Sequence, residues 1–491
     1  VTAQTPADLT RPAPGETTGW ITPATTGGER LDGRGTVLLT ADRVLTGRRG
    51  DAAGSLEVVG DAPDDDARMA GAGGAVLLRR HRILFVGTAA EAETHLRERA
   101  DLLADDVPRV DLPGTTLMPG LIETHDHLPT SGTALEYPDY GAHEVARLTL
   151  NATRAARELL SVGVTSVQSL GARHYVDVAV RDAIRNGDVR GPRVVPAGPQ
   201  ITTTGGHSFH AGAEVDSLDD IRHQVRLHHK MGVETVKVMS TGGFMTGGSA
   251  PWNAQFSQAE LEALFGEAHR LGKWTAAHAH GVDGIANAVR AGVDYVAHAS
   301  FITAAGRSQF DPRLADEMAE AGVYVDATVT ADMPRMLRRD DSFAPPARQL
   351  WEHGVKIVAG HDAGIPGVPH RAYVGGLEAL EWVGIPRNEV ILAATSRAAA
   401  GIGLAGVTGV LAEGFDADLI AVGGDPREGL GVLRDLRMVV SMGREFVPDA
   451  LIGVPVFDDP ESSIGLGPIG PAATLAHWRE HEARALRHPE V

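Results

Sequence analysis

Two histidines two residues apart, His125 and His127, close an apolar run in the stretch TLMPGLIETHDHL, residues 116–128. Side chains on a strand repeat every second residue, so both imidazoles leave from one face. Two neutral imidazoles side by side are half of a site for a divalent cation. The pair alone does not separate a metal ligand from an incidental surface or core histidine, so the other ligands must come from elsewhere in the chain. Later apolar runs supply candidates: Lys237 within VETVKVMS, His278 and His280 in WTAAHAH, His298 in YVAHAS and Asp362 in KIVAGHDA. One such residue reads as a satisfied core histidine or a capping aspartate. Five of eight strands each bearing one point to a shared centre.

Lys237 stands out because it interrupts an apolar strand. A buried ammonium is costly, so it either shifts its pKa or finds a carboxylate partner. Its head can also reach up to the mouth of the fold. A third outcome is carboxylation, which turns the cation into a bidentate anion able to bridge two metals.

Two loops are placed to shape a pocket. TTTGGHSFH (202–210) offers His207 and His210, and STGGFMTGGSAPW (240–252) carries paired glycines. Glycines of this kind permit a mobile lid or an ordinary loop with left-handed turns. No GK[ST] follows them, which excludes a phosphate loop. Arg173 and His174, after the second strand, are candidates to meet a substrate carboxylate.

The elements that must hold these residues follow a strand–helix rhythm. The expected strands are Leu117–His125, 164–170, 193–198, 235–240, 274–280, 295–300, 323–328 and 356–363. Near-continuous apolar runs are the pattern of strands covered on both faces. Ser257 with Glu260 is a capping box and Gly272 a stop; Asp311-Pro312 opens a further helix that Gly322 closes. Eight such units predict an α/β fold, a (β/α)8 TIM-type barrel over 116–404. Short β runs before and after it, at 34–115 and 405–450, are expected to build one small β-sandwich from both ends of the chain. Residues 1–33 read as an extended arm, and 451–491 as a tail with an amphipathic helix at 472–488.

At 491 residues the chain can bury a large core, and 43% apolar with 22% charged residues is a globular balance. A net charge of −19 opposes nucleic acid. No run is apolar and long enough to span a membrane, and no basic-then-apolar leader opens the sequence, so cytoplasm is the default expectation. The absence of cysteine excludes disulfides, thiolate-ligated zinc and thiol catalysis. The expected partner is a small-molecule substrate, in a homo-oligomer.

With these elements in place, the chain resembles the amidohydrolase superfamily through PGLIETHDHL, KVMSTGG, AAHAHG, AHAS and HDAG, over roughly residues 35–450. The resemblance is nearest to its binuclear dipeptidase and carboxypeptidase (prolidase-like) branch, which has a strand-four lysine and two histidines about twenty residues apart, as His278 and His298 are. It implies two divalent cations, zinc first among Zn, Mn, Co and Fe. His125, His127 and Asp362 would bind one, His278 and His298 the other, and carboxylated Lys237 would bridge them. Such a pair generates a bridging hydroxide at neutral pH and polarises a carbonyl. Asp362 would then be general base and acid. His280 would donate to the oxyanion, or act as a supporting histidine bonded elsewhere. The implied reaction is hydrolysis of a C–N amide-type bond in a dipeptide, N-acyl amino acid, lactam, carbamate or urea. Three positions depart from the branch: Glu123 replaces Asp, His280 replaces Tyr, and His361 replaces Thr, adding an imidazole expected at the pocket mouth. The rivals are a mononuclear deaminase or cyclic-amidine hydrolase, which Gly281 disfavours by standing where a proton-shuttling Glu would be, and a non-catalytic scaffold, which has no need of a complete ligand set.

Overall fold

The computed structural model describes residues 31–33, 35–62, 64–99, 107–132, 141–339, 341–342 and 344–449. The expected helix at 472–488 and nearly all of the expected arm lie outside the described residues. The chain is α/β. Its first sheet is mixed and contains β1 (Thr36–Arg49), β2 (Leu56–Asp61), β3 (Gly74–Arg79), β4 (Arg82–Thr88) and β5 (Arg109–Pro119). Parallel strands follow: β6 (Leu121–Asp126), β7 (Val164–Ser169), β8 (Arg193–Pro196), β9 (Ile201–Thr202), β10 (Ala213–Glu214), β11 (Thr235–Met239) and β12 (Trp274–Gly281). They continue with β13 (Tyr295–Ile302), β14 (Tyr324–Asp326) and β15 (Lys356–Val358). The chain then returns to the mixed sheet with β16 (Leu419–Gly423), β17 (Leu436–Ser441) and β18 (Arg444–Glu445).

The mixed sheet runs β18-β17-β16-β5-β1-β3-β4, with β2 on β1, so strands from both ends of the chain meet where β16 pairs antiparallel with β5. The parallel strands form two groups, β6-β7-β8 and β10-β9-β11-β12-β13-β14-β15. Backbone hydrogen bonds link the groups on both sides. Glu234 N donates to Pro196 O at 2.9 Å, and at the other side Ala363 N donates to His125 O at 3.0 Å and His127 N to Ala363 O at 2.7 Å. The second link matters for function, because it sets the segment after β15 beside the histidine-bearing end of β6.

Local sequence explains the helices that cover these strands. Ser257 Oγ accepts from Glu260 N while the Glu260 carboxylate accepts from Ser257 N, the expected capping box of helix Gln258–Arg270. Helix Pro312–Ala321 begins at its proline and ends at Gly322 with φ +70°. Parallel strands covered in this way are buried on both faces, and β6, β7 and β11 are buried at every residue. No helix among the described residues is long and apolar enough to cross a membrane.

Two expected strands need correction. The run Leu117–His125 is not one strand: β5 ends at Pro119 in the mixed sheet, and β6 resumes at Leu121 beside β7. Gly120 makes the change of sheet, and only glycine fits there, since a Cβ would stand 2.1 Å from Thr165 Oγ1. The strand expected at 356–363 stops at Val358, so Asp362 lies beyond the strand, where it takes a left-handed φ of +57°.

Gly120→Ala should therefore destabilise the chain by about 1–3 kcal/mol, the usual range for overpacking, read from chemical denaturation. A second expectation concerns pH. Burial lowers the pKa of His228 to about 4, while its Nε2 donates to Pro199 O and its Nδ1 accepts from Tyr175 OH. The folded chain resists protonation that the unfolded chain accepts below its ordinary value of 6.5. This contribution is complete above that value and is lost as pH falls toward 4, so the stability gap between wild type and His228→Gln should narrow across that window in melting curves.

Candidate metal centre

β6 carries His125 to its end and His127 just past it, with both rings on one side. His125 Nε2 lies 3.1 Å, and His127 Nε2 3.0 Å, from a single oxygen, Asp362 Oδ1. Neither contact has hydrogen-bond geometry: Asp362 Oδ1 is buried with no hydrogen-bond partner. The other nitrogen of His125, Nδ1, donates to Asp326 Oδ2 at 2.7 Å. Its Nε2 is thereby turned toward Asp362.

The second group comes from β12 and β13. His278 Nδ1 and His298 Nε2 face each other at 2.8 Å. His278 Nε2 lies 3.0 Å from the Gly242 carbonyl, which can only accept, so His278 Nδ1 turns a lone pair toward His298. His298 Nδ1 lies 2.9 Å from Thr328 Oγ1, which also lies 3.1 Å from Asp326 Oδ2. Two buried imidazole nitrogens this close can be held by one cation. His280 stacks on His298 with centroids 4.3 Å apart, and its Nδ1 meets Ser300 Oγ at 2.9 Å.

The ligand-capable atoms fall into two sets, His278, His280 and His298, and His125, His298 and Asp362, each within 4.8 Å. Lys237, 1% exposed in the middle of β11, stands among them: its charge disfavours protonation of His125, His207, His278, His280 and His298 alike. No carboxylate among the described residues forms an ion pair with it.

Burial dominates the electrostatics. It lowers Lys237 to about 8, against the pull of Asp362 and Asp326. It lowers His207 and His280 to about 3, and His278 and His298 well below the ordinary imidazole value. These rings are neutral, the state in which imidazole binds metal. Burial also opposes charge on His125 and Asp362, but each sustains the other, so His125 rises to about 9 while Asp362 stays well below the usual carboxylate range. The field that holds a proton on His125 favours a divalent cation in its place.

The remaining expected site residues divide. His207 reaches the centre, its ring stacked on His278 at 4.6 Å and its Nδ1 buried without a hydrogen-bond partner. His210 sits further out, half-buried against Phe209, its pKa lowered first by burial and then by the Arg173 charge. Arg173 and His174 both pair with Glu144, with side chains about two-fifths exposed. His361 is not at a pocket mouth: its Nδ1 donates to Glu123 Oε2 at 2.8 Å and its ring lies edge-on to Tyr373. Sequence reasoning missed Asp326, Thr328 and Ser300. An acid ending the seventh strand was the available signal for Asp326; the hydroxyls had none.

The amidohydrolase family pattern matches residues 116–452. The chain belongs to the amidohydrolase family. It is similar to an ochratoxinase of Aspergillus niger, 29% identical over 74% of this chain and 81% of that one. Among solved structures, a Xaa-Pro dipeptidase with bound methionine superposes with a TM-score of 0.69 at 26% identity, covering 84% of this chain and all of that one. The A. niger ochratoxinase superposes at 0.68 and 25% identity, covering 84% and 96%. This amidohydrolase is an enzyme that hydrolyses C–N bonds, and its histidine and aspartate groups are suited to divalent metal.

Asp326 orients both histidine groups, directly at His125 and through Thr328 at His298. Asp326→Ala should cost this amidohydrolase roughly 10–100-fold in metal affinity, the usual effect of removing a ligand's hydrogen-bond partner, measured by competition with a chromogenic chelator.

Proposed function

We propose that this amidohydrolase is a binuclear metal hydrolase cleaving an amide-type C–N bond of a small molecule. The reading is carried by two sets of buried ligand-capable atoms, from His278, His280 and His298 and from His125, His298 and Asp362, each within 4.8 Å. His125, His127 and Asp362 would hold one ion, and His278 and His298 the other. Lys237 would serve both as a carbamate: at a pKa of about 8, part of it is the neutral amine that reacts with CO2 near neutral pH. Zinc suits this ligand set first, with Mn, Co and Fe as alternatives. The framework of the proposal is a closed (β/α)8 barrel over 116–404, and a small β domain from 34–115 and 405–450.

When bound, the cations acidify water and polarise the scissile carbonyl. The protein does the rest. Asp362 Oδ1, with no hydrogen-bond partner, accepts the proton of the attacking water and passes it to the leaving nitrogen as the C–N bond breaks. His280 donates from Nε2 to the carbonyl oxygen as charge develops, its Nδ1 taking the Ser300 hydroxyl hydrogen. Neutral His207 flanks the site and orients substrate. Dipeptides, N-acyl amino acids, lactams, carbamates and ureas all present the required bond. The likeness to an ochratoxinase and a Xaa-Pro dipeptidase supports this range. A mononuclear deaminase is disfavoured, because a side chain at Gly281 would meet Trp252 O at 2.6 Å.

Protein purified without chelators should contain two metal equivalents, and intact-mass measurement under non-acidic conditions should find one CO2 on the peptide bearing Lys237. Asp362→Asn should lower kcat on a dipeptide or N-acyl amino acid substrate by roughly 10²–10⁴-fold. One metal with unmodified lysine would defeat the binuclear reading.

A further inference from the structure

Glu123 and His361 are buried beside the centre, yet the proposed chemistry gives neither a task. Their contacts are one-sided in an informative way. Glu123 Oε1 accepts from His125 N at 2.9 Å and from His361 N at 3.1 Å, and Glu123 Oε2 accepts from His361 Nδ1 at 2.8 Å. One carboxylate thus joins the backbone of a ligand histidine to the residue preceding Asp362. Asp362 needs such a hold, since it lies beyond the end of β15 in a left-handed conformation that a non-glycine residue adopts only when its surroundings impose it.

The covering helix, Tyr373–Trp382, is shaped around this pair. At Gly376 a Cβ would stand 1.9 Å from His361 Cδ2 and 2.0 Å from Nε2, so the ring occupies the space a side chain would take. Tyr373 presents its ring edge-on to His361 at 4.7 Å, and its hydroxyl donates to Ile122 O. Walled in this way, His361 cannot serve substrate.

We propose that Glu123 and His361 form a single positioning unit, a carboxylate–imidazole strap that sets Asp362 against His125 and His127. The strap rests on the binuclear reading above. Its test compares wild type with Glu123→Asp, His361→Thr, the double variant, and Gly376→Ala, which keeps both groups but displaces the ring. Each metal-stripped protein is titrated with Zn(II) against a chromogenic chelator, and its apo form is melted. Each single variant and Gly376→Ala should weaken one zinc equivalent by roughly 10–100-fold and spare the other, while the double variant should lose about as much as one single variant and not the sum of both. The apo melting temperatures should likewise fall less in the double variant than the two single losses together. Folded single variants that bind both equivalents as wild type does, or a double variant showing the sum of both losses, would overturn the strap. If a single variant fails to fold, the double variant and Gly376→Ala decide. Wild type that binds no zinc would instead overturn the binuclear reading, and additivity or its absence in the apo melting cycle would still judge the strap.

Discussion

His278 Nδ1 and His298 Nε2 face each other across 2.8 Å, and burial holds both rings neutral, with the Lys237 charge adding to the cost of protonation. Neutral buried imidazoles brought this close are suited to hold a cation in place of a proton. The second group is suited to one differently, with a buried carboxylate oxygen facing two imidazole nitrogens and bonded to neither.

An arrangement of this kind survives only in a stiff frame. Buried polar groups left unmatched are expensive, and a mobile site would rearrange to satisfy them. Adjacent strands pin the clustered residues: Met239 pairs with His278 and Ala279 with His298. His298 at +70° and Asp362 at +57° also hold positive φ, which points their side chains where a regular strand would not. Asp326 fastens one end of this arrangement and Glu123 the other. The polar residues around the centre are thus as much a part of the framework as the apolar core.

The family match and the geometry converge from independent directions. The pattern over 116–452 places the chain among amidohydrolases, while the clustering of buried histidine and aspartate atoms is read from distances alone. The relatives differ in substrate, which fits a division of labour between a shared fold and loops that decide what reaches its site. In this chain the loop at 202–210 brings a neutral histidine, His207, against His278, and the loop at 240–252 supplies the Gly242 carbonyl to the same ring.

Much of this was legible in the sequence, because its signals are local. Period-two spacing put His125 and His127 on one face, apolar runs marked most of the parallel strands, and capping residues marked where helices begin and end. A lysine inside such a run announced itself by its cost. What the sequence could not supply were relations between residues distant along the chain. That Pro119 and Leu121 belong to different sheets depends on Thr165 lying over Gly120. That His361 faces Glu123 instead of the pocket depends on a glycine in a helix that packs beside it. The direction of a hydrogen bond, and with it the tautomer of each histidine, depends on partners such as Asp326 and Thr328 that only folding brings within reach. Sequence determined which residues could bind metal; tertiary structure decided where each one turns its lone pair, since that is fixed by contacts no local pattern encodes.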